Sequence, residues 1–285
     1  QYVDIDGTVK EAINEMVLTM TDFKLLKDQY DLVDFEILDG CWFYARSGIF
    51  DDYINKYKDM KIHSKGARRE LAKLFLNNLY GKMASSKDSS FKVAFEKEDG
   101  SLGFRLVSEH NKKAGYIPIG SAITSYARNF TIRAAQANYY GVNERGFIYA
   151  DTDSIHCDLS AEEVQGIKVH ESSFCCWKME SFWDVAYFTR QKTYIEHVTH
   201  EDCAPVEKPY YDIKCAGMPQ KCKDLFIKSM GVESDERNLS EEESKFVSVH
   251  RELEDFTEGL KIPGKLMPKR IRGGILLTET DYEMR

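Results

Sequence analysis

GFIYADTDSIH, running from Gly146 to His156, is the stretch on which the architecture of this chain turns. Phe147, Ile148 and Tyr149 predict a short buried strand, and the run turns polar at Asp151, Thr152, Asp153 and Ser154. Asp151 and Asp153 stand two residues apart, so on extended backbone or in a tight hairpin turn both carboxylates leave the same side. Two anions held that close repel, unless a divalent cation lies between them and takes their oxygens as ligands. A hard ion such as Mg²⁺ suits all-oxygen ligation and usually brings phosphate with it. A plain polar hairpin tip is the alternative, because Asp, Thr and Ser are ordinary turn residues.

The whole chain sets the limits within which that stretch acts. Its 285 residues allow two or three modules with a core, and a hydrophobic content of 42% fits a folded protein. No apolar run approaches membrane-spanning length and no signal peptide is expected, so a membrane partner is not predicted. The seven Cys show no CxxC pair or metal spacing, and adjacent Cys175 and Cys176 are poor partners for each other. Reduced thiols in a cytosolic setting follow. A net charge of −8 argues against nucleic acid only until its distribution is considered, since a basic stripe on an acidic body still tracks a phosphate backbone.

Such a stripe lies upstream. Ile49, Tyr53, Ile54 and Tyr57 predict one helix, and after a break the pattern restarts in KGARRELAKLFLNNLYGKMAS. Lys65, Arg69 and Lys73 recur every four residues along one side, Lys61 extends the line, and Leu71, Leu74, Phe75 and Leu79 are expected to supply the packing. Glu70 is the one acid between Lys61 and Lys82, a depletion that favours a phosphate-binding face over a merely solvated one. Gly81 is expected to end the helix or to admit another backbone.

Between and beyond these stretches the pattern is plainer. Val9–Tyr30 predicts a helix and Asp31–Tyr44 a strand, turn and strand. Phe91–Phe95 and Leu102–Val107 flank Lys97-Glu98-Asp99-Gly100 as an exposed hairpin. Ile123, Ala127, Phe130, Ala134 and Ala137 mark the packed face of a helix over Ile117–Tyr140, on which Thr124 and Arg128 share a side. Arg190 to Ile195 reads as a strand with Lys192 and Tyr194 facing one way. Met230–Glu258 is strongly acidic, an exposed helix or a partly disordered insertion. The closing run through Lys261, Lys265, Lys269, Arg270 and Arg272 predicts a basic β-hairpin able to grip duplex backbone without reading bases.

Lys73-Leu-Phe-Leu-Asn77-Asn78-Leu-Tyr80-Gly81 is similar to the Kx3NSxYG motif in the fingers of family B DNA polymerases, with Asn78 where the family usually has Ser. Tyr149 to Ser154 resembles the YxDTDS motif of their palm, Thr124 to Arg128 their TxxGR element with Ala127 in the Gly position, and Lys192-Thr-Tyr194 their KxY motif. Lys214 to Met218 is similar to the junction from palm to thumb. A hairpin between the first two motifs resembles the second terminal-protein-region insertion of the protein-primed branch found in small tailed phages, where it is associated with strand displacement.

The resemblance implies an α+β fragment of a right-hand polymerase: an antiparallel palm sheet with packed helices, helical fingers, a β-hairpin insertion and a small thumb. It places the end of a first terminal-protein-region insertion and palm connection in residues 1–48, fingers in 49–86, the hairpin insertion in 87–113, palm in 114–214 and thumb in 215–285. It implies template-directed DNA synthesis with two Mg²⁺ ions, for which Mn²⁺ substitutes. Asp151 and Asp153 are then the catalytic, metal-facing pair. Lys61, Arg69, Lys73, Asn77 and Tyr80 bind the nucleotide, and Gly81, Thr124, Arg128, Thr152, Lys192 and Tyr194 lie along DNA. Primer-template DNA, a dNTP and a terminal protein primer are the implied partners, in the host cytoplasm, for a gene carried by a phage or linear plasmid.

Neither the family's DxxSLYP-like run with its further Asp nor its acidic exonuclease motifs occur here, so these residues alone are expected to bind DNA weakly and to synthesise little. Two alternatives stay open: a non-catalytic DNA-binding protein derived from a polymerase, and a phosphatase of the haloacid-dehalogenase type with Asp4 of DIDGT as nucleophile.

Overall fold

A computed structural model describes residues 2–3, 8–10, 15–98, 102–110, 113–171, 173–231 and 239–285. Asp4, Asp6 and Gly7 of the DIDGT run, Asp99 and Gly100 of the hairpin turn, and residues 232–238 of the acidic run lie outside the described residues. In chain order the elements are β1 (Tyr2–Val3), β2 (Val9–Lys10), α1 (Met20–Gln29), α2 (Asp51–His63), α3 (Ala67–Met83), β3 (Ser89–Glu96), β4 (Leu102–Glu109), α4 (Ile117–Ala137), β5 (Phe147–Asp151), β6 (Ser154–Cys157), β7 (Ser181–Arg190), β8 (Thr193–Glu201), β9 (Ala204–Cys215), α5 (Gln220–Met230), α6 (Glu241–Val247), β10 (Lys261–Ile271) and β11 (Gly274–Glu283). Small antiparallel sheets and helices give the α+β class. The chain divides into two units, Gln1–Ser89 with Ser108–Leu159, and Ser90–Val107 with Ser160–Arg285.

In the first unit α1 is shorter than the sequence predicts. Thr19 keeps a non-helical backbone and its side chain accepts from the Asp22 amide at 3.2 Å, a cap that starts the helix there, while Val9–Lys10 pairs with Tyr2–Val3 as strand. The expected strands in Asp31–Tyr44 do not form; a lone hairpin is marginal without a face to bury, and Trp42 and Tyr44 are fully exposed.

The predicted break between the next two helices falls at Ser64–Gly66, where Gly66 takes φ 58° as the N-cap of α3. Lys61 therefore belongs to α2 and Lys65 to the connection, so the basic line is not one continuous helical stripe. Tyr57 stacks on Phe75 at 4.6 Å, and the Tyr53 hydroxyl donates to the Phe75 carbonyl at 2.9 Å. That contact selects Ala72, Phe75 and Leu79, at i, i+3 and i+7, as the inward stripe; Leu71 and Leu74 are exposed instead of packed. α3 continues through Gly81 to Met83, and a Cβ at Gly81 would meet nothing within 4 Å, so this glycine neither ends the helix nor admits a neighbour.

α4 is the scaffold of this unit, packing against α1, α3, β5 and β6. Where α3 ends, the chain just before α4 passes so close that a Cβ on Gly115 would lie 2.2 Å from the Met83 carbonyl oxygen. The buried residues of α4 are Gly120, Ser125, Thr131 and Ala134, followed by Asn138 at its end. Of the predicted apolar face only Ala134 is buried, and Ile123, Ala127, Phe130 and Ala137 are exposed. The reason is what faces it: α1 and the β5–β6 hairpin meet α4 with carboxylate and carbonyl oxygens, which call for hydroxyls.

The second unit holds the large apolar core. Ile195 and Ile213 from the three-stranded sheet β7-β8-β9 pack with Cys222, Leu225 and Phe226 of α5, Phe246 and Val247 of α6, and Phe256, Ile262, Tyr282 and Met284. β10 and β11 form the expected ribbon, buried at Ile262 and exposed at Lys269, Arg270 and Arg272. β3 and β4 pair as predicted. Part of the acidic run is folded: Ser240 and Glu243 cap α6 reciprocally, and Glu243 is buried against Lys221 at 2.5 Å.

Candidate metal and nucleotide site

The β5–β6 hairpin is fixed at its base by the end of α4. Asn138 is fully buried, donates its side-chain amide to the Ala134 carbonyl at 2.8 Å, and accepts the Phe147 amide on its own carbonyl at 2.7 Å. Gly146, with φ 148°, makes this possible, since a Cβ there would lie 2.3 Å from the Asn138 oxygen. Asp158 closes the other strand by accepting the Gly146 amide at 2.5 Å. The strand between is half-buried rather than buried, and Ile148 is exposed, because β5 and β6 form a two-stranded sheet with α4 against them.

At the tip Asp151 pairs with Ser154, leaving a two-residue loop of Thr152 and Asp153. Thr152 has φ 48°, a left-handed conformation that a β-branched residue rarely adopts and that costs about 1–3 kcal/mol. Hydrogen bonds of roughly 1 kcal/mol each offset it. The Asp153 amide and the Ser154 hydroxyl donate to the Asp151 carbonyl at 2.5 and 3.1 Å, the Thr152 hydroxyl to the Asp151 carboxylate at 3.0 Å, and the Thr131 hydroxyl of α4 to the Thr152 carbonyl at 2.9 Å. The tip is thus the hairpin turn expected, with Asp151 half-buried and Asp153 exposed.

Among the described residues no three His, Cys, Asp or Glu side chains converge as a ready metal cage. Two neighbouring carboxylates nevertheless fit a Mg²⁺ ion, which commonly takes one or two protein carboxylates and completes its octahedron with water and substrate phosphate. The donor set suits an ion shared with a phosphate.

α3 presents Arg69, Lys73, Asn77 and Tyr80 within one exposed arc, at i, i+4, i+8 and i+11. Lys61 sits in the last turn of α2. Arg128 ties α4 to α1. It donates to both carboxylate oxygens of Asp22 on α1, at 2.7 and 3.2 Å, and this pairing holds Arg128 above and Asp22 below their ordinary pKa values. The Ser125 hydroxyl donates to the same Asp22 carboxylate at 2.7 Å, and Thr124 donates back to the Gly120 and Ser121 carbonyls of its own helix. Asp22, Ser125, Thr131 and Asn138 are the residues that periodicity misses; the sequence signal was polar groups at helical spacing, invisible to a search for carbon.

Lys192 and Tyr194 belong to the second unit. Arg190 pairs with Thr193, so Lys192 lies in the two-residue turn with φ 59° rather than on a strand, and its carbonyl accepts the Ala216 amide at 3.1 Å. Tyr194 is the second residue of β8 and stacks on Phe188 at 5.1 Å.

The family model for DNA polymerase type B, organellar and viral, matches residues 7–171. The DNA polymerase of Bacillus phage Nf is 36% identical over 283 residues, which cover 95% of this chain and 44% of that protein. The DNA polymerase of Streptococcus phage Cp-1 is 31% identical over 285 residues, 99% of this chain and 43% of that protein. A solved structure of phi29 DNA polymerase complexed with primer-template DNA and incoming nucleotide substrates matches 93% of this chain and 43% of its own at 34% identity, with a TM-score of 0.74. The chain spans about 44% of the length of the curated phage relatives from Bacillus that it matches.

Proposed function

The chain belongs to the type B DNA polymerases, organellar and viral, and on that footing we propose that it carries fingers, palm and thumb elements of a protein-primed enzyme that extends DNA on a template. The fingers are residues 49–86, the hairpin insertion 87–113, the palm 114–214 and the thumb 215–285, with 1–48 as the connection that precedes them. One observation carries this reading: the helix that buttresses the Asp151–Asp153 tip also packs on the helix that presents Arg69, Lys73, Asn77 and Tyr80.

In the reaction the primer 3′-hydroxyl attacks the α-phosphorus of a dNTP, the bond to the β-phosphate oxygen breaks, and pyrophosphate leaves. Asp151 and Asp153 would hold two Mg²⁺ ions, or Mn²⁺ in their place, and the chemistry such ions would supply is stabilisation of charge on the attacking and leaving oxygens. Lys73 and Arg69, with Lys61, offset triphosphate charge, because their own charge persists at neutral pH. Asn77 and Tyr80 shape the nucleotide pocket. In the first unit Thr152, Gly81, Thr124 and Arg128 bind DNA, with Arg128 contributing a guanidinium already oriented by Asp22; in the second unit Lys192 and Tyr194 bind DNA. The basic ribbon of β10 and β11 holds duplex backbone without base readout. A terminal protein supplies the first hydroxyl, and synthesis takes place in the cytoplasm of a host cell.

A fluorescent primer-template with a 3′-dideoxy end, titrated with this chain in Mg²⁺, tests the reading. The templated dNTP should tighten DNA binding, and Asp153→Asn or Lys73→Ala should abolish the tightening without changing dNTP-free binding. Binding indifferent to which dNTP is present would instead identify a protein that only holds DNA.

A further inference from the structure

α4 grips the aspartate hairpin twice, by Asn138 at the base and by Thr131 at the tip, two helical turns apart on one buried side. The two grips differ. Asn138 anchors through backbone, whereas Thr131 spends a side-chain hydroxyl. Thr and Ser in a helix commonly donate to a carbonyl of the preceding turn, as Thr124 does to Gly120. Thr131 is 7% exposed and gives its proton to Thr152, outside its own helix, at 2.9 Å.

The carbonyl it holds belongs to an unusual residue. In a two-residue hairpin loop, a positive φ at the first central position and not the second is the sign pattern of a type II′ turn, where glycine is the usual occupant. Here the position holds Thr152 at φ 48°, and Asp153 is not in the positive region. The bonds within the tip run from Thr152, Asp153 and Ser154 to Asp151, so they tie the tip to itself. Thr131 ties it to the scaffold.

We propose that Thr131 is a positioning residue for the metal-facing aspartates: its buried hydroxyl fixes the peptide between Thr152 and Asp153, and with it the direction in which both carboxylates leave the backbone. This rests on the assignment of Asp151 and Asp153 as cation ligands. The residue acts through the tip.

The test compares Thr131→Val, which keeps the shape and loses the donor, with Thr131→Ser, which keeps the donor, in the full chain. Amide hydrogen exchange at Asp153 and Ser154 reads the tip, and Mn²⁺ affinity from water-proton relaxation reads the site, with Asp153→Asn as reference. The valine variant should exchange at least tenfold faster at the tip and bind Mn²⁺ at least tenfold more weakly. The serine variant should stay within twofold of the native chain on both, with α2 and α3 unchanged throughout. Native tip exchange in the valine variant, equal losses in both variants, or acceleration spreading into α2 and α3 would each overturn the proposal. So would a looser tip with unaltered Mn²⁺ affinity when Asp153→Asn loses the ion. If Asp153→Asn leaves Mn²⁺ binding untouched, the cation assignment itself falls, and tip exchange alone then decides whether Thr131 positions the turn.

Discussion

Replacing Gly146 by Ala should release the aspartate hairpin from α4. The backbone there has φ 148°, open to glycine and strained for any L side chain, which costs about 1–3 kcal/mol. A Cβ would lie 2.3 Å from the Asn138 carbonyl oxygen and 2.9 Å from the Tyr140 ring. Relief of the first clash moves the acceptor of the Phe147 amide, now 2.7 Å away, and leaves a polar group of a fully buried residue unpaired, a further 1–3 kcal/mol or so. The sum, roughly 2–6 kcal/mol, corresponds even at its lower end to about a 30-fold shift in the local opening equilibrium. Hydrogen exchange followed by mass spectrometry reads that shift directly: amides of Phe147–Asp151 and Ser154–Cys157 should exchange 30-fold faster or more, with those of α2 and α3 unchanged. Unaltered protection of β5 and β6 would show that Asn138 and Gly146 do not anchor the hairpin.

Asp22→Asn should loosen α1 from α4 by about 0.5–1 kcal/mol, a modest value because Arg128 is half exposed. Since Arg128 holds the Asp22 carboxyl below its ordinary 3.8, that stability is present above pH 4 and is lost as pH falls through the lowered folded value, so the difference between native and variant chains in urea unfolding should be full at pH 6 and shrink as pH falls below 4. If Lys73 offsets triphosphate charge as proposed, Lys73→Ala should weaken dNTP-dependent DNA binding by about 10-fold to 100-fold in anisotropy titrations, with unchanged melting. Gly81→Ala meets open space inside a helix and should raise stability by about 0.5–1 kcal/mol in thermal unfolding, while a loss of DNA affinity in the same variant would mark a backbone contact with nucleic acid.

The parts of this fold that bury carbon or turn sharply were legible in the sequence. The pause between α2 and α3, the β3–β4 and β10–β11 ribbons and the Thr152–Asp153 turn all announce themselves through apolar spacing or turn residues. The inward face of α4 did not, because Ser125, Thr131 and Asn138 bury oxygen and nitrogen against Asp22, Thr152 and Phe147, partners outside the helix. Ile123 and Phe130, the residues a hydrophobic pattern selects, are exposed for the same reason. Val9–Tyr30 misled because a capping threonine at position 19 outranks a weak periodicity before it. Lys192 misled because strand alternation says nothing about where a pair of strands reverses. The acidic pair and the basic arc of α3 were both readable; that one helix underlies both was not.

That shared support is the heart of the account, and Mn²⁺ reports on it most directly. Amide resonances of the full chain, recorded with Mn²⁺ and a dNTP, should broaden together at Asp151–Ser154 and along Lys73–Tyr80, with Asp153→Asn removing both effects. Broadening confined to acidic residues elsewhere, or at the tip without α3, would contradict it.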